Sequence, residues 1–268
     1  MLEGLQVEAE EYPERHRQLA AVRFYLHFML WECERYWNDV ARGVTNYKTL
    51  LDQLERWRKS KDRICLVTFN YDTMLEAALP VVGVEIRSLP DYVASDRYKV
   101  IKLHGSVNWA RGVDTPIDAS NKNTWQVAYE LIERAPGLEI SQTYRIVTEH
   151  PIGKHNGSVF FPALAIPVQS KVDYECPREH LDALGACIPE VTKLLLIGWR
   201  ATEVPFLELL SRYLTKELHV MVVAGDQDKA KEPIDNLGKA GVKGVFLAAK
   251  GGFTDFVVTR DGDEFLKS

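Results

Sequence analysis

Five short, uninterrupted apolar runs constrain this chain more than any other feature: ICLVTFN (64–70), YKVIKLHG (98–105), TKLLLIGW (192–199), LHVMVVAG (218–225) and GVFLAA (244–249). Runs of this length without polar alternation are typical of strands buried on both faces, the condition of parallel sheets. Helical stretches follow several of them: one from near Asp72, then VPFLELLSRYL, then about Asp228 to Ala240. Strands alternating with helices imply right-handed βαβ crossovers and an open, doubly wound, mainly parallel Rossmann-like α/β sheet. Ligands of such sheets bind beyond the carboxyl ends of the strands. Those ends here carry Asn70, His104, Gly198 and Asp226.

Ahead of the first apolar run the texture is helical. Pro13 opens a long helix that Gly43 is placed to stop. Leu19, Val22, Leu26, Met29, Cys33, Tyr36 and Val40 alternate spacings of three and four, which is a heptad stripe. Phe24, Tyr25, Phe28 and Trp31 widen it, so more than one face seeks cover. Burial within the domain is the first expectation for that surface, and a homo-oligomer through this N-terminal helix the second. Another amphipathic helix is expected near 46–59, on Tyr47, Leu50, Leu51, Leu54 and Trp57. Residues 106–176 look less regular and read as an insertion or small subdomain, with a helix at TWQVAYELIERA and extended pieces at YRIV and SVFFPALAIPV. The whole, 1–268, reads as a single α/β domain with a helical segment over 1–60.

Composition narrows the function classes. Hydrophobic content of 46% and charged content of 26% are ordinary for a globular protein. A net charge of −5 argues against general nucleic-acid binding, which needs clustered Lys and Arg. None of the four cysteines forms a CxxC pair, so a zinc ribbon is not expected. Cys176 and His180 have helical i, i+4 spacing, but no further ligands follow at metal-binding intervals, and Cys176 reads better as a helix N-cap. The first residues lack an apolar signal core and no run of 18 apolar residues follows, which places the expected location in the cytoplasm, off the membrane.

The densest chemical constellation is Thr68-Phe69-Asn70-Tyr71-Asp72 with Lys102-Leu103-His104-Gly105-Ser106. Each stands where an apolar strand runs out. This resembles the NAD-binding core of the sirtuin superfamily, in its zinc-free bacterial branch, which includes antiphage NADases. There a Thr-x-Asn-x-Asp motif and a His-Gly motif line the nicotinamide-ribose pocket. LLLIGW followed by a helix, and GGFTDFV near the end, also fit the family's motif order over roughly residues 60–258.

The resemblance implies NAD as substrate or ligand and no metal. Asn70 would hold the ribose hydroxyls or the attacking water, and His104 would be the general base. Asp72 would bind the nicotinamide carboxamide, with Thr68 and Gly105 in the same pocket. Gly198 and Trp199 would adjoin the dinucleotide, and Asp226 would take the adenine-ribose hydroxyls. Plainer roles stand beside these: Asn70 and Asp72 as helix caps, His104 as a satisfied buried histidine, Gly198 as a tight turn and Asp226 as a turn former. The family also opens on a strand and a Gly-Ala-Gly-type loop that meets the pyrophosphate. Twelve residues with Gly4 as their one glycine precede the long helix here. Two readings follow: a shortened enzyme, or a relative that binds little dinucleotide and serves as a nucleotide-sensing or assembly module.

Overall fold

A computed structural model describes residues 12–41, 45–147, 153–155, 158–166 and 174–267. Helix α1 (Pro13–Ala41) and helix α2 (Asn46–Trp57) lead into strand β1 (Ile64–Thr68). Helices α3 (Met74–Ala78) and α4 (Asp91–Ala94) precede β2 (Tyr98–Lys102), which turns at once into β3 (Gly105–Val113). Helix α5 (Thr124–Glu133) is followed by β4 (Ile140–Ile146), β5 (Gly153–His155) and β6 (Ser158–Leu164). The remainder alternates: α6 (Arg178–Cys187), β7 (Lys193–Ile197), α7 (Val204–Tyr213), β8 (Leu218–Val223), α8 (Lys231–Lys239), β9 (Gly244–Ala248), α9 (Phe253–Thr259) and α10 (Asp263–Lys267).

The class is mixed α/β with parallel strands, as the apolar runs predict. All five runs form strands, and every pairing among them is parallel: β1 with β2, β7 with β8, and β8 with β9. They do not form one sheet. The ladders are β1-β2 and β7-β8-β9, with no pairing between β1 and β7. A single sheet needs direct β1–β7 pairing or a strand between them, and neither occurs among the described residues. β1 is accordingly half-buried along its length. One core nevertheless spans both ladders, because Val100, Ile101 and Leu103 share a cluster with Leu196, Val220 and Val222.

The middle of the chain departs from the irregular reading. It forms a four-stranded antiparallel sheet in the order β4-β3-β6-β5. It contributes to the main core as well, where Trp109 of β3 and Ala163 of β6 are fully buried. Helix α5 starts cleanly because Asn123 and Gln126 form a reciprocal capping box, each bond 2.9 Å. Its Val127 and Leu131 pack with Ala20 and Phe24 of α1 and with Phe161 of β6 in a second cluster.

Helix α2 ties the ladders together. Leu51 faces the main core, while Leu50 enters a third cluster with Met221 and Val223 of β8 and Phe256 of α9. The buried Gln53 side chain donates to the Val257 carbonyl at 2.7 Å. Helix α1 ends at Ala41, and the expected stop, Gly43, lies outside the described residues. Among the described residues no helix is long and apolar enough to cross a membrane.

Candidate functional site

The loop after β1 is tethered on several sides. The Asn70 N–H donates to Thr68 Oγ1 at 3.1 Å. The Tyr71 carbonyl accepts from the Val107 N–H at 2.9 Å and from the Ser106 hydroxyl at 3.2 Å, both on β3. The Tyr71 hydroxyl donates to the Ala165 carbonyl at 2.8 Å. From α1, Glu34 accepts the Thr73 N–H at 3.1 Å and the Thr73 hydroxyl as well. Such bonds fix the loop before any ligand arrives, the condition for preorganised recognition.

Lys102, at the end of β2, is fully buried. Its ammonium donates to the Asp72 carbonyl and to Glu76 Oε1, the latter at 2.9 Å. Glu76 also accepts from the Tyr92 hydroxyl at 2.8 Å, and Tyr92 in turn accepts from the Trp109 indole at 3.3 Å. A buried ammonium needs a partner of this kind, because desolvation otherwise drives off its proton. The network anchors the Asp72 backbone beside the candidate site.

The candidate residues fall as follows. Asn70 is exposed, and its carboxamide donates to the Tyr47 hydroxyl at 3.1 Å. Asp72 is half-buried, and its carboxylate accepts the Met74 N–H at 3.0 Å, a turn contact one residue ahead of Thr73, the N-cap of α3. His104 lies in the β2–β3 turn, 9% exposed, against Phe69 (centroids 5.0 Å) and Tyr71 (6.0 Å). Gly105 has φ +79°, and a Cβ there would stand 1.9 Å from the Ala163 carbonyl oxygen. No other residue fits that turn.

From the second ladder, Trp199 stacks on Phe69 with centroids 5.3 Å apart and planes inclined 23°. Phe206 of α7 closes the group edge-on to both rings. Gly198, with φ +64°, makes the turn that delivers Trp199, and the space beside its Cα is open. His104 and Trp199 thus flank the Phe69 ring beyond the carboxyl ends of β2 and β7, with Gly105 and Gly198 their chain neighbours and Thr68 and Asn70 those of Phe69. Asp226, at the end of β8, is exposed and engaged by Lys229, through its N–H at 2.8 Å and its ammonium at 3.0 Å. These bonds hold its carboxyl below the usual range. The turn-forming role accounts for its geometry.

Burial pushes the Tyr71 hydroxyl up to about 12. Burial also raises Tyr47, and the nearby Asp72 charge adds to the shift. Glu34 is raised by burial despite the bonds from Thr73. Tyr47 and Glu34 escaped the sequence reading: Tyr47 looked like part of an apolar helix stripe, and Glu34 is an ordinary residue of a charged helix. Their contacts depend on where α1 and α2 pack.

The isolated Cys176–His180 pair is occupied otherwise. His180 is buried with Nε2 3.1 Å from the Leu89 carbonyl, and burial raises the Cys176 thiol to about 12. Pro177, not Cys176, is the N-cap of α6, because the helix starts at Arg178. No cluster of three or more His, Cys, Asp or Glu side chains suited to a metal occurs among the described residues.

An exposed carboxamide, an enclosed imidazole and an aromatic wall at the ends of parallel strands suit a polar ring-bearing ligand better than a metal or a polyanion. No family model matches the chain, and no curated protein matches it.

Proposed function

We propose that this chain is an NAD-handling protein of the zinc-free sirtuin-like type, and that it hydrolyses NAD+ to nicotinamide and ADP-ribose. On this reading β1-β2 and β7-β8-β9 are two halves of one doubly wound, Rossmann-like arrangement, and the site lies where the halves meet. The observation that carries it is the pairing of an exposed Asn70 on a tethered loop with His104 at the end of the adjacent strand. The Phe69–Trp199 stack across the two ladders supports the same crevice.

Cleaving the bond between ribose C1′ and the pyridinium nitrogen passes through an oxocarbenium-like state. Nicotinamide leaves with the bonding electron pair, so the ring becomes neutral. Water adds to C1′ and gives its proton to a base. Asn70 orients the ribose hydroxyls or the water, His104 accepts the proton, and Asp72 receives the carboxamide N–H of nicotinamide. Thr68 and Gly105 shape the pocket floor, and Gly198 and Trp199 form its far wall. NAD+ chemistry of this kind fits a cytoplasmic protein, and a role in antiphage defence is part of the proposal.

One observation favours a second reading, a silent nucleotide-sensing or assembly module: His104 is only 9% exposed, which restricts a base that must meet water. Calorimetric titration with NAD+, paired with chromatography of the products, separates the two. Binding with nicotinamide release supports the hydrolase, whereas binding without release supports the sensor.

A further inference from the structure

Helix α1 carries two apolar faces, and the fold uses one. The residues that pack on the body are Ala20, Phe24, His27 and Phe28, with Glu34 reaching Thr73 on the same side. In the heptad set by Leu19, Val22, Leu26, Met29, Cys33, Tyr36 and Val40 at the a and d positions, those packing residues occupy b, c and f. They therefore lie roughly 180° around the helix from the a/d seam. From Met29 onward the seam is open: Met29 is 41% exposed, Tyr36 66% and Val40 55%, and Cys33 is exposed too. Tyr25 (64%) and Trp37 (55%) flank it at g and e. On the packing side, Trp125 of α5 meets Phe28 edge-on at 5.0 Å.

We infer that this seam pairs with the seam of a second copy of the chain, as a parallel, in-register two-helix interface. A repeat of 3.5 residues specifies a helix as partner, because it keeps an apolar line facing another supercoiled helix. The flanking positions select the second copy and the orientation. In a parallel pair, Tyr25 meets Leu30 of the partner subunit and Glu32 meets Trp37 of the partner subunit, so no like charges oppose. An antiparallel pair would set Glu32 against Asp39 of the partner subunit, an acidic pair. The two bodies lie on opposite sides of the seam, so they do not collide. The open seam and its flanks offer on the order of 600 Å² per protomer, at the lower edge of a specific interface. The contact is isologous and closes as a dimer.

Sedimentation equilibrium on the full chain tests this. Wild type is expected to dimerise in the micromolar range. The double substitution Met29→Glu, Tyr36→Glu is expected to raise the dissociation constant at least about 100-fold, which is a few kcal/mol of seam packing lost. The helical circular dichroism and melting temperature should hold, since both side chains are exposed. Met29→Leu, Tyr36→Leu is the seam-preserving control and should retain the dimer. A short bis-maleimide should join Cys33 to Cys33 of the partner subunit, and Cys33→Ser should abolish that product. A monomer at all concentrations up to several hundred micromolar would overturn the inference. So would a dimer indifferent to the glutamates, or one without the Cys33 cross-link.

Discussion

Phe69 and Trp199 are 130 positions apart along the chain, yet their rings stack with centroids 5.3 Å apart.

 Phe69 follows β1 and Trp199 follows β7, so this contact joins the carboxyl ends of two ladders that are not paired with each other among the described residues.

The stack should therefore matter to stability. Trp199→Ala is expected to cost about 2 kcal/mol, less than for a fully enclosed ring because both rings are half-buried. Urea denaturation measures it, and a loss under about 0.5 kcal/mol would show that the ladders are held together elsewhere.

The two glycines of the site should respond differently. Gly105→Ala places a Cβ 1.9 Å from the Ala163 carbonyl oxygen at φ +79°, so backbone must move. Gly198→Ala meets no atom within 4 Å and bears only the φ +64° penalty, about 1–2 kcal/mol. Thermal melts should rank Gly105→Ala as clearly the more damaging, and equal losses would contradict the packing described for the β2–β3 turn.

Lys102 and Glu76 form a buried pair, with side chains 0% and 8% exposed. Lys102→Met leaves Glu76 uncompensated and should cost about 3–5 kcal/mol. Adding Glu76→Leu should recover part of that loss, because no charge is then left buried. A double variant less stable than the single one would argue that the Tyr92 bond to Glu76 outweighs the ion pair.

Acid stability has one identifiable contributor. Bonds from Arg58, opposed by modest desolvation and reinforced by Tyr98, lower the Glu55 carboxyl from 4.5 to about 2. A depressed folded-state value means the stabilisation is complete above the unfolded value and is lost as pH falls from about 4.5 through about 2. Glu55→Gln should flatten the stability profile in that window, by a small amount because the group is largely solvated. An unchanged slope would remove Glu55 from the account.

Much of the fold was legible because its signal is local. The runs at 64–70, 98–105, 192–199, 218–225 and 244–249 became the parallel strands, since a continuous apolar run leaves a strand little choice but burial. How the ladders join was not legible, because pairing between β1 and β7 depends on edges rather than on either run. Strand β3 carries a weaker signal, because in GSVNWARGV only Val107 and Trp109 alternate with polar residues. In the site, strand ends pointed to Asn70 and His104. Tyr47, Glu34 and the Phe69–Trp199 stack come from distant segments and had no signature of their own. Asp226 shows the converse: a correct strand end whose side chain is engaged by Lys229.

The central claim is tested most directly by nicotinamide release from NAD+, measured for wild type, Asn70→Ala and His104→Ala, each confirmed folded by circular dichroism. Wild type should release nicotinamide. Asn70→Ala should abolish release, and His104→Ala should slow it on the order of 10²–10⁴-fold, while NAD+ affinity measured by calorimetry changes far less in the histidine variant. Release at the wild-type rate in both variants would contradict the assignment of this site.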